Sequence, residues 1–126
     1  MDKSKIVFLL VIVLLLALAA FAAVPEYEGF WTGTAELPGQ VVDEITLVLV
    51  KTGTGYAGVI SDTLGIIAPE TSLAGVKIEG TVLIFHFPAV DGLTIASHLK
   101  AHGGRMAGTW ADPDGGSGKI ELTRKK

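Results

Sequence analysis

Three histidines and a scatter of aspartates are the residues from which this chain could build chemistry. His98 and His102 stand four apart, the spacing that brings two imidazoles together on a helix and lets them share a metal. The surrounding sequence is strand-like, and in a strand that spacing sets them about 13 Å apart. His86 would have to meet His98 across a strand pair, and neither a third ligand nor a carboxylate accompanies them. The three are therefore expected on an outer, solvated face, with no metal. Asp112-Pro113-Asp114-Gly115 has the opening of a calcium loop, but the twelfth position from Asp112 is Thr123, where a bidentate Glu is needed. A polar hairpin loop is the simpler expectation. Asp43-Glu44 and Asp62 are expected as loop and strand-end carboxylates. Ser117 lies in Gly116-Ser117-Gly118, which lacks the spacing of a nucleophile elbow. No phosphate-binding loop and no dinucleotide fingerprint occurs. No residue constellation supports catalysis, so the chain is expected to be no enzyme and to need no cofactor.

The elements that would hold these residues begin after an unusual N-terminus. Met1-Asp2-Lys3-Ser4-Lys5 precedes an unbroken apolar run from Ile6 to Val24, the layout of a secretory signal. Ala20-Phe21-Ala22 provides small residues for cleavage before Ala23, which makes residues 1–22 a signal peptide and residues 23–27 a short linker. At about 1.5 Å per helical residue, residues 6–24 could instead nearly span a hydrocarbon core of about 30 Å as an uncleaved anchor. Both alternatives put the domain outside the cytoplasm, as a periplasmic or extracellular protein or as one tethered to the membrane and facing outward. That segment is the only expected contact with a membrane.

Of the 126 residues, roughly 100 remain for one domain, residues 28–126. They are rich in Gly, Thr, Val, Ile and Leu, which favours strands and turns. A net charge of −3 offers no basic surface for nucleic acid. Cysteine is absent, so core packing and the sheet ladder must hold an exported fold without disulfides.

From Glu28 the chain divides into short extended runs separated by turn signals. They are Glu28–Leu37, Ile45–Lys51, Tyr56–Asp62, Ser72–Glu79, Val82–Phe87, Leu93–Ala101, Arg105–Trp110 and Lys119–Arg124. Thr63–Glu70 is a looser stretch that leads to the fourth run. Connections this short pair each strand with the next, as an antiparallel meander. Closing such a meander removes its exposed edges, so the expected fold is an all-β, eight-stranded up-and-down barrel, closed or nearly closed, with an open sandwich as the alternative. Alternation puts Leu83, Phe85 and Phe87 of the fifth run, and Leu93, Ile95 and Leu99 of the sixth, on the core side. The second run is apolar on both faces apart from Thr46, which makes its outer face either covered or a contact surface.

Gly29-Phe30-Trp31 on the first run and Leu122-Thr123-Arg124 on the last resemble the lipocalin-type arrangement, in which a Gly-x-Trp packs beneath an arginine from the final strand. The resemblance implies that Gly29, Trp31 and Arg124 close one barrel end, the ring as plug and the guanidinium as lid. The C-terminal helix and disulfides of classical lipocalins are missing. A nearer likeness is to small bacterial lipocalin-like barrel domains that read Gly-x-Trp-x-Gly, Pro-Gly, an apolar strand and a late Gly-Thr-Trp. Here those are Gly29 to Gly33, Pro38-Gly39, Ile45 to Val50 and Gly108-Thr109-Trp110. The likeness covers nearly the whole mature chain and implies the fold, with no shared catalytic set. A barrel of eight strands has room for its own side chains or for one small ligand. Two expectations follow. One is a binding module for a lipid, a fatty acid or another small apolar molecule, lined by Trp31, Phe85, Phe87, Ile95, Leu99 and Met106. The other is a structural or interaction module with a filled core, meeting an unknown protein partner through an outer face.

Overall fold

The computed structural model describes residues 26–125, so the signal peptide and anchor readings fall outside the described residues. Every regular element described is a strand: β1 (Gly29–Leu37), β2 (Val41–Thr52), β3 (Gly55–Asp62), β4 (Thr71–Ser72), β5 (Ala74–Glu79), β6 (Val82–Pro88), β7 (Thr94–His102), β8 (Arg105–Ala111) and β9 (Ser117–Arg124). All pairs are antiparallel. The order β4-β3-β2-β1-β9-β8-β7-β6-β5 brings the first and last long strands together and leaves β4 and β5, neighbours in sequence, at the two ends of the sheet. The result is an all-β, nearly closed up-and-down barrel, lipocalin-like at that coarse level.

Nine strands stand where the sequence suggests eight, because the run expected over Ser72–Glu79 changes partner partway along. Thr71 and Ser72 pair with Ile60 and Val59 of β3, and Leu73 N–H still reaches the Gly58 carbonyl at 3.0 Å. From Ala74 onward the chain pairs with β6 instead. The register shifts between Ala74 and Lys77, and Gly75 there has φ +59°. A bulge with its glycine in the left-handed region bends the strand across the gap between β3 and β6. His86 lies where a Cβ on Gly75 would stand, so the missing side chain also admits that ring.

Alternation decides what lies inside. In β7 burial is strictly periodic, with Ile95, Ser97, Leu99 and Ala101 inward and Thr94, Ala96, His98, Lys100 and His102 outward. In β6, Leu83, Phe85 and Phe87 point inward. The turns after β2, β5 and β7 and the entry of the chain lie at one end of the barrel. The connections after β1, β3, β6 and β8 lie at the other.

The entry end is filled. Trp31 is fully buried, and the Arg124 guanidinium carbon sits 4.6 Å from its ring centroid. One face of the ring thus meets a cation, an attraction on top of the apolar burial. Arg124 also donates to the Glu26 carbonyl at 2.6 Å and packs over Gly29, whose φ of +142° and bare Cα admit the arginine stem. Tyr27, expected in the linker, belongs to the packed core and is fully buried. Its carbonyl accepts the Trp31 indole N–H at 2.9 Å, its phenol donates to the Thr81 carbonyl, and its ring meets Tyr56 edge-on at 6.0 Å. Burial pushes the Tyr27 phenol above the ordinary tyrosine range.

Candidate functional site

Trp31, Phe85, Leu99 and Met106 all lie in this filled half, each no more than 1% exposed. Phe87 and Ile95, closer to the other end of β6 and β7, stand on the wall of a cavity of about 440 Å³. The expected lining set is thus divided between a solid plug and an open chamber. The Phe85 and Phe87 rings, 6.1 Å apart between centroids, run from one into the other.

The remaining wall comes from strand ends and loops. Ala35 and Leu37 of β1, Ile45 of β2, Ile60 of β3, Trp110 of β8 and Ile120 of β9 supply its strand-borne apolar surface. Leu64, Ile66 and Ile67 lean in from the 63–70 connection, and Ala89 and Leu93 from the one after β6. Trp110 is fixed by its indole N–H, which donates to the Glu36 carbonyl at 2.8 Å. Of these positions alternation marked only Leu93 as inward, and β2, apolar on both faces, left Ile45 undecided. The division into plug and chamber was not legible, because it depends on how far each side chain reaches across the barrel.

The polar groups on the wall are three carboxyls: Asp43, Asp91 and Asp112. Asp43 is expected in a loop, yet it is an interior residue of β2 and only 2% exposed. Its parity with Ile45, Leu47 and Leu49 was the available signal. Asp43 accepts the Leu64 N–H at 3.2 Å, and the Asp62 carboxyl is its charged neighbour. Asp62 accepts the N–H groups of Ile66 at 2.9 Å and Ile67 at 3.2 Å. Burial first, and then the neighbouring Asp62 carboxyl, push Asp43 up to about 6. The carboxyl pair therefore anchors the 63–70 connection over the chamber. Val90 N–H donates to the Ile66 carbonyl at 2.9 Å and ties the next loop to it.

The other residues with chemical potential are dispersed. His98 pairs with Ile84 and His86 with Ala96, so the two imidazoles are offset diagonally by two residues on the outer face. His102 lies opposite Arg105 at the filled end. Asp112 makes a tight polar turn, its Oδ1 accepting from Asp114 N–H at 2.8 Å and Gly116 N–H at 3.0 Å. Ser117 is exposed at the start of β9.

Ser97 is the one inward polar residue of β7. Its hydroxyl is fully buried and has no hydrogen-bond partner among the described residues. An unpaired buried hydroxyl costs about 1–3 kcal/mol. Ser97→Ala is accordingly expected to leave stability unchanged or raise it by about 1 kcal/mol in urea unfolding. A loss of that size would mean that the hydroxyl is paired.

Comparisons with family models, with curated proteins and with solved structures return no match, and the site rests on this chain's own geometry.

Proposed function

We propose that this chain is an exported, non-enzymatic binding module that takes one small apolar molecule into the loop end of its barrel. The observation that carries this reading is the chamber itself. Its volume of about 440 Å³ falls within the range of small-molecule sites, and its wall is apolar apart from three carboxyls. Exposed Val41, Leu64 and Val90 beside the opening supply the apolar rim such an entry path needs. The Trp31–Arg124 stack and the Gly29-x-Trp31-x-Gly33 segment support kinship with the small bacterial lipocalin-like domains. The N-terminal sequence supports export to the periplasm or beyond. The chain enters the barrel at the filled end, so an anchor left uncleaved would join opposite the opening.

A second reading, an envelope interaction module, draws on the outer face of β2. Val48 stands there between Phe30 and Val59 on the adjacent strands, with exposed Val50 beyond it. That face is small and lies away from the chamber.

Native mass spectrometry of the mature protein purified from its own host tests the first reading. The expected spectrum contains an added mass that dissociates on collisional activation. Ala35→Phe, which pushes a ring into the chamber from β1, is expected to abolish that adduct while the barrel still folds. A clean, ligand-free mass from the unaltered protein would overturn the reading.

A further inference from the structure

The charge around the opening is one-signed, and this bears on which apolar molecules the chamber accepts. Among the described residues no lysine, arginine or histidine lines it; its charged groups are Asp43, Asp91 and Asp112. The adjacent loops and strand ends add Asp62, Glu70 and Asp114. Basic residues are found mainly toward the other end, where Lys51, Arg105, Arg124 and Lys125 border the turns and the terminus, interspersed with Glu26, Glu28 and Glu79. The barrel is therefore polarised along its axis, negative where the chamber opens and of mixed sign where it is plugged.

Resting on the binding reading above, we infer that the chamber selects an apolar molecule carrying a positive charge at one end, such as a hydrophobic amine. The apolar body would lie against Ile45, Phe87, Ile95 and Ile120, with its ammonium among the carboxyls at the opening. Each carboxylate retains acceptor sites beyond those used locally. Asp91 gives Oδ1 to the Leu93 N–H, and Asp43 and Asp112 hold the backbone contacts described above. Charge-assisted hydrogen bonds from an ammonium would use the free lone pairs. Phe87 and Trp110 on the wall are side chains that attract cations and not anions. A carboxylate headgroup, as on a free fatty acid, would meet only like charge and no basic partner.

Three probes of equal chain length separate charge from greasiness: decylamine, decanol and decanoate. They are titrated calorimetrically into the unaltered protein at neutral pH, below their micellar concentrations. Decylamine is expected to bind about tenfold tighter than decanol, and decanoate more weakly than both. Added salt should narrow the gap in part, because Asp91 is exposed and Asp112 half-buried, while Asp43 is buried and screened less. In the Asp43→Asn/Asp91→Asn double variant, whose amides keep the backbone hydrogen bonds, the amine is expected to lose its advantage while decanol is unchanged. Equal binding of amine and alcohol, or tighter binding of decanoate, would overturn the charge selection and leave the chamber a general apolar site. An amine preference that survives the double variant would overturn it too. If none of the three binds, the binding reading itself falls.

Discussion

Trp31→Ala is expected to cost about 3–5 kcal/mol of stability, a large share of the roughly 5–15 kcal/mol that holds a domain of this size. The ring is fully buried at the plugged end, and three dependent contacts leave with it. The Arg124 guanidinium loses the face it stacks on, the Tyr27 carbonyl loses the indole N–H at 2.9 Å, and the surrounding leucines face a void. Arg124 and Tyr27 come from opposite ends of the described chain, so the ring also joins the entry segment to the last strand. Trp31→Phe separates these contributions. It keeps a ring beneath the arginine but gives up the hydrogen bond, for an expected loss of about 1–2 kcal/mol. Urea unfolding followed by the fluorescence of the remaining Trp110 measures both. A loss under about 1 kcal/mol for Trp31→Ala would show that the plug is not what holds this end together.

Stability is expected to fall as pH rises through the acidic range because of Asp43. Its carboxyl titrates at about 6 in the fold against an ordinary 3.8, so the folded chain keeps a proton that the unfolded chain has released. The stabilisation from that proton is complete below the unfolded value, declines between about pH 4 and pH 6, and is absent above. At about 1.4 kcal/mol per unit at most, and less where solvent screens the pair, the whole effect is on the order of 1–3 kcal/mol. Most exposed or paired carboxylates act in the opposite direction, which makes the sign diagnostic. Asp43→Asn stays neutral at every pH. Its amide can donate to Asp62 while its oxygen still accepts the Leu64 N–H. This variant is expected to gain on the order of 1–3 kcal/mol at neutral pH and to lose the slope. Urea midpoints measured across the acidic range test it, and an unchanged slope in Asp43→Asn would assign the effect elsewhere. Hydrogen exchange at Leu64, Ile66 and Ile67 reports the same event locally. These amides donate to the two carboxyls and are expected to exchange faster once Asp43 is charged.

The meander and its inward faces were legible in the sequence because both are local properties. Leu83, Phe85 and Phe87 alternate with outward partners whatever the barrel does next, and Gly80-Thr81 can only turn the chain back on itself. The Gly29-x-Trp31 and Arg124 pair could be recognised for a similar reason, as a strand-borne ring and a guanidinium at matching ends. Asp43 shows where local reading stopped. Next to Glu44 it looked like a loop carboxylate, yet β2 starts at Val41 and carries it inside. Its neighbour Asp62, which joins burial in raising its pKa, is delivered by β3 and cannot be placed from the local sequence. The change of partner at Leu73 also depended on the space between β3 and β6, which exists only once the barrel curves.

By itself the sequence determined a cysteine-free antiparallel meander, with alternating side chains choosing inside from outside. Tertiary structure alone decided that one end of the interior is plug and the other chamber, and that the carboxyls gather at the open end. Volume and net field are sums over strands distant in the chain, and no single stretch of sequence carries either.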